Sequence, residues 1–77
     1  MSSLATVEIG QSVRIVKANL DEDVAAWLAA VGLAEGEEVV VLRRAALGGP
    51  LHVRLAAGGE LAVAREIAQK LTTRAAE

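Results

Sequence analysis

The stretch Val31-Gly-Leu-Ala-Glu-Gly36, continued by Glu37-Glu-Val-Val-Val-Leu-Arg-Arg44, decides how this chain folds. Upstream of it the apolar residues recur with helical spacing, and downstream they form β runs. A glycine just past such a helical stretch can adopt the left-handed conformation that closes a helix without a Cβ clash, and Gly32 stands at that point. Leu33 is the next apolar residue, Gly36 marks a second turn, and Val39-Val-Val-Leu42 opens a strand at once. Helix stop, apolar anchor, turn and strand follow within a few residues.

Upstream, Val24, Trp27, Leu28 and Val31 fall at i, i+3, i+4 and i+7, one face of a helix. Asn19 or Asp21 can cap that helix, and the acids of Asp21-Glu-Asp23 suit its positive end, so a helix is expected over about 21–31. Its other face, Ala25, Ala26, Ala29 and Ala30, is uncharged. Alanine is the best helix former, and a smooth small-residue face also suits a partner. Trp27 lies on the buried side by the helical wheel; as the only large aromatic it is equally a natural interface anchor. Further upstream, Ser12 to Ala18 reads as a strand with Val13 and Ile15 inward, and Leu4 to Ile9 as a short alternating segment with Val7 and Ile9 on one side.

Downstream, Glu37 to Ala45 is apolar on both faces at Val39–Leu42, as a central strand should be. Pro50 belongs at a strand start because it cannot donate to a ladder. Leu51-His-Val-Arg-Leu55 alternates, Gly58-Gly59 marks a hairpin, and Leu61 and Val63 continue the inward set. Arg65 to Lys70 reads as a helical turn that brings Ile67 and Leu71 onto the sheet. Thr72-Thr-Arg74 is a brief closing strand, and Ala75 to Glu77 should fray. The expected fold is mainly β: a small barrel of about five strands, one helix and a helical turn near 65–70. A sheet this short has few open edges only if it curls.

All of this fits one domain, residues 1–77. The apolar fraction is 53% with one Trp, no Phe and no Tyr, so the core is aliphatic. There is no cysteine, hence no disulfide or thiolate metal site. A net charge of −2 and a pI near 5.3 argue against nucleic-acid binding. No apolar run is long enough to span a bilayer, and Met1–Ala5 lacks the basic start of a signal peptide, so a cytoplasmic protein is expected.

Catalytic chemistry finds little support. His52 is the only histidine and alternates outward on its strand. Gly48-Gly-Pro50 lacks the lysine and helix of a phosphate loop. The acids at Asp21–Asp23 and at Glu35, Glu37 and Glu38 suit a helix start and a turn better than a metal cage. No catalytic residue, metal ligand or cofactor is therefore assigned. Arg43, Arg44 and Arg54 offer a small basic patch. Proline-rich peptides are not expected as ligands, since their groove needs several aromatic side chains.

Taken in order, Val31-Gly-Leu-Ala-Glu-Gly36, Val39-Val-Val-Leu-Arg-Arg-Ala-Ala-Leu-Gly-Gly-Pro50, Leu61-Ala-Val63 and Ala68 resemble the FeoA family of ferrous-iron transport accessory proteins. The resemblance runs from about Leu4 to Thr73. It implies an SH3-like β-barrel that binds the cytoplasmic portion of the FeoB-type iron permease and touches the membrane only through that partner. It also extends to the C-terminal SH3-like module of metal-dependent repressors, so a regulatory domain acting by self-association or regulator binding is the alternative. No DNA-binding domain is seen in this chain, which favours the accessory protein. Trp27 and Ala46 depart from the family's usual polar residue and proline. The partner-binding surface expected here is Trp27, Ala26 and Ala30 on the helix with Leu47 and Pro50 on the turn, and a second copy of the chain is a further possible partner.

Overall fold

Helix α1 (Glu22–Ala30) stops where Gly32 turns left-handed, at φ 103. In this computed structural model, which describes residues 1–76, the Gly32 amide donates to Ala29 O at 3.0 Å and the Leu33 amide to Leu28 O at 2.9 Å. These are the two bonds of a Schellman closure, and they are joined by its usual apolar contact: Leu28 and Leu33 are both buried. The chain next makes a turn closed by the Glu37 amide on Ala34 O, with Gly36 at φ 92. That turn is fastened to the strand Ser12–Ala18 (β2). The Gly36 amide donates to Ile15 O, the Ile15 amide donates to Glu37 O, and Arg14 reaches both Gly36 O and Glu38.

Six strands form one antiparallel sheet: β1 (Ser2–Ser3), β2, β3 (Glu38–Arg44), β4 (Leu51–Leu55), β5 (Glu60–Val63) and β6 (Leu71–Ala75). Their spatial order is β1-β6-β2-β3-β4-β5. The strand Glu38–Arg44 lies in the middle, as its two apolar faces require. A flat sheet with its side chains is only about 10 Å thick, so Cα extents of 29 × 28 × 25 Å mean that this one is rolled. Val13, Ile15, Val39, Val41, Leu51, Val53, Val63 and Leu71 fill the inside. The roll is not a closed barrel, however, because β1 and β5 remain as edges.

Two bulges govern which side chains point inward. Between β3 and β4 the register skips at Leu42, so that Arg44, and not Arg43, stands opposite the buried Leu51. Arg44 therefore turns towards the mouth of the roll, where it donates to Ala5 O and Val7 O. A second bulge at Val16, between β2 and β6, returns Ala18 to the inner side opposite Leu71.

Three expectations are corrected. Leu4–Thr6 is a 3-10 turn, so the i, i+3 pair Leu4 and Val7 is buried together while Ile9 is exposed next to the turn at Gly10. The closing strand is longer than expected and lies inside the sheet. Thr73 is buried there because its hydroxyl donates to Ser2 O at 2.9 Å, satisfying a polar group that hydropathy would place outside. Ala75 pairs with Val13 and the Ala76 amide with Ser12 O, so neither frays; Glu77 lies outside the described residues. Helix α2 is the single turn Arg65–Ala68, with Ile67 packed on the core.

Gly32→Ala would force an L-residue into the left-handed region, costing about 1–2 kcal/mol, with its Cβ 3.2 Å from Leu55 Cδ1. For a domain of this size the thermal midpoint should fall by roughly 5–10 °C. Arg44→Met keeps the stem but removes the donors to Ala5 and Val7, a loss of about 1–2 kcal/mol. A thermal melt should show a drop, with hydrogen exchange quickening first in residues 4–7.

Candidate functional site

Most of the polar side chains weighed for chemistry have structural partners. His52 Nε2 lies 2.9 Å from Glu60 Oε1, diagonally across the β4–β5 hairpin. Glu35 accepts the Ala18 amide, Glu38 pairs with Arg14, and Asp21 to Asp23 lie at the start of α1. Among the described residues no three histidine or carboxylate side chains converge to hold a metal ion. The basic patch does not form as a unit. Arg44 is spent on the 3-10 turn, and Arg54 faces the other side of the sheet, opposite Val40 and Glu60.

The exposed apolar residues stand out instead. Trp27 is 59% exposed and Val31 36%, one helical turn apart, with Ala26 and Ala30 exposed beside them. The wheel assigned Trp27 to the core side, but α1 buries only Leu28 fully and Val24 in part. The reason is the Schellman fold-back. Leu33 returns onto Leu28, and these two are buried beside α1 while Trp27 and Val31 stay outside.

The turn from Ala45 to Pro50 presents the second apolar feature. Leu47 is fully exposed, at 104%, and is the only described non-glycine residue with positive φ, at 61°. That conformation costs an L-residue about 1–2 kcal/mol, so the rest of the turn must hold it. Ala45 N–H donates to Pro50 O, Gly49 N–H donates to Ala46 O, and Arg65 reaches Gly49 O at 3.2 Å and Ala45 O at 3.4 Å. No alternation or spacing announces this staple, because Arg65 lies some twenty residues away on α2.

The helix residues and the turn residues are not brought together. The Gly32–Glu37 corner, which continues from α1, leads into the N-terminal end of β3, whereas the Leu47 turn follows its C-terminal end. At the usual rise per residue β3 separates the two ends by about 20 Å. Two of the concave surfaces divide in the same way, while the largest, about 570 Å³, lies between the start of α1 and α2. A groove of about 270 Å³ between α1, Ala18 and the corner includes Ala26, and a smaller one of about 140 Å³ beside the turn includes Pro50. No described helix is long and apolar enough to cross a membrane.

Comparison with known proteins fits this architecture. No curated protein matches as a relative. The solution structure of the FeoA protein from Chlorobium tepidum is 25% identical with a TM-score of 0.87, over 97% of this chain and 70% of that one. A FeoA-like protein from Clostridium acetobutylicum is 23% identical with a TM-score of 0.81, over 96% and 85%. A manganese-dependent transcriptional repressor in complex with manganese superposes with a TM-score of 0.85 at 17% identity; 96% of this chain covers 36% of the repressor. All three share the SH3-like fold, and the FeoA domain model matches residues 2–74. The chain therefore belongs to the FeoA family.

Proposed function

We propose that this protein is a cytoplasmic accessory protein of ferrous-iron uptake that works by binding, not by catalysis. Its partner on this reading is the cytoplasmic portion of a FeoB-type permease, and α1 is the surface that docks. Family membership supports the pathway. The observation that carries the binding role is Trp27. An indole left 59% exposed on a helix held by one buried residue contributes little to the fold, while tryptophan in a desolvated contact is among the strongest interface anchors. From Val24 to Ala34 the chain has no charged side chain, so the surface on the C-terminal side of Trp27 can be desolvated at low cost, with Asp23 one turn before it as a polar rim.

The likeness to the repressor favours a second reading, a regulatory domain that acts through contacts with a regulator or with itself. The two readings use different partners, so one capture experiment separates them. Purified chain is passed over the immobilised cytoplasmic portion of the permease, with and without guanine nucleotide. Capture at tens of micromolar is the expected outcome, and its absence would reject the permease reading. Trp27→Ala should weaken capture by about tenfold or more. Its thermal midpoint should change little, since exposed substitutions usually stay within about 0.5 kcal/mol.

A further inference from the structure

We propose that the free edge of β5 takes up an extended acidic segment of another protein as an added strand, with an aspartate or glutamate side chain of that segment held by Arg43. The surface lies at the Pro50 end of β3, away from α1, so this goes beyond the permease reading and does not depend on it.

Two independent observations meet at Ala62. The first is the backbone of β5. The Leu55 amide donates to Gly59 O at 3.0 Å, and the β4–β5 register continues from there without a shift. In an antiparallel ladder every second opposed pair exchanges both bonds, so Val53 with Leu61 and Leu51 with Val63 carry this one. The N–H and C=O of Glu60 and Ala62 therefore point away from β4, and no described group bonds them there. Edge strands are usually blunted by protruding charges, proline, a bulge or a covering element. In β5 the one charge, Glu60, is turned back across the hairpin to His52 at 2.9 Å, and the exposed Ala62 and Ala64 are too small to overhang the edge. The other edge of the sheet, β1, is only Ser2–Ser3.

The second observation is the surface beside that edge. Arg43, His52 and Ala62 stand in one cross-strand row on the outer face. With Pro50 they border the hollow of about 140 Å³, which no described carboxylate lines. Arg43 is exposed and has no ion-pair partner among the described residues, whereas Arg44 is taken by Ala5 and Val7. A strand added to β5 bonds through Glu60 and Ala62, and its residue opposite Ala62 projects on the same face as Ala62. An acid at that position extends over the small alanine towards Arg43. An acid opposite Glu60 would meet a like charge, so the segment carries its acid at one position only. The residues on either side of that acid are apolar and pack beside the half-buried Leu61 and the buried Val63. A second copy of this chain does not meet the requirement, because the one acid of its β5 is Glu60, already held by His52.

The test is an NMR titration of the full chain with the capped peptide Thr-Val-Glu-Val-Thr, which sets a glutamate between two inward valines whichever way it runs. Amide signals of β5 and His52 should move with millimolar peptide, and the Glu60 and Ala62 amides should gain protection from hydrogen exchange. The same peptide with lysine in place of glutamate should bind at least about fivefold more weakly. Arg43→Gln should erase that difference. Ala62→Pro removes the outward N–H while leaving the bonds to β4, and proline is tolerated on edge strands. It should keep the pattern of core amide signals and lose binding of both peptides. Arg43→Gln, at an exposed side chain, decides independently of whether Ala62→Pro folds. The proposal is overturned if no β5 signal moves at millimolar peptide, if the lysine peptide binds as well as the glutamate peptide, or if the preference survives Arg43→Gln. It is equally overturned if a folded Ala62→Pro still binds, or if sedimentation shows wild-type copies pairing through this edge, a rise in mass with concentration that Ala62→Pro abolishes.

Discussion

The structure depends on how α1 is closed. A helix ending in solvent would leave its last carbonyls to water and its apolar side without a partner. Here the left-handed Gly32 resolves both needs, because the amides that cap Ala29 and Leu28 belong to the residues that bring Leu33 back onto Leu28. The same reversal delivers the chain to the Gly36 turn, whose backbone is clamped to Ile15 from both sides. The position of α1, the start of β3 and the register of β3 on β2 are therefore consequences of one turn.

Elsewhere, arginines do the work that backbone ladders cannot. A domain this small has a large share of its chain in turns, and turn carbonyls need donors. Arg14 supplies one to Gly36, Arg44 supplies two to the 3-10 turn, and Arg65 reaches two on the Leu47 turn. The planar, multiply donating guanidinium suits such reach. Three of the chain's six arginines are engaged this way, while Arg43, Arg54 and Arg74 remain exposed. Among the exposed apolar side chains, Trp27 on the helix and Leu47 on the turn stand out.

The two features differ in how legible they were. That Trp27 is the one large aromatic, among alanines, is visible in the residues alone; its exposure is not, because a helical wheel assumes the core lies along the whole apolar stripe. Leu47 resembles any leucine in a loop until its φ and its staple to Arg65 are known. The candidate surface could thus be named by residue, but its division between two ends of β3 follows only from strand order and register.

What the sequence determined by itself was local and periodic. Gly32 and Gly36 prescribe turns, the alternation at Leu51–Leu55 prescribes a half-buried strand, and the ordered set of glycine and apolar positions points to the family. These follow from backbone sterics and hydrophobic spacing, which act over a few residues. Tertiary structure alone decided the rest. The bulge at Leu42 turned Arg44 inward, the Ser2 carbonyl made a buried place for Thr73, and Leu33 was buried against Leu28 while Trp27 stayed outside the core. Each outcome is a competition between residues far apart in the chain for one position or one hydrogen-bond partner, and no short-range pattern records who wins it.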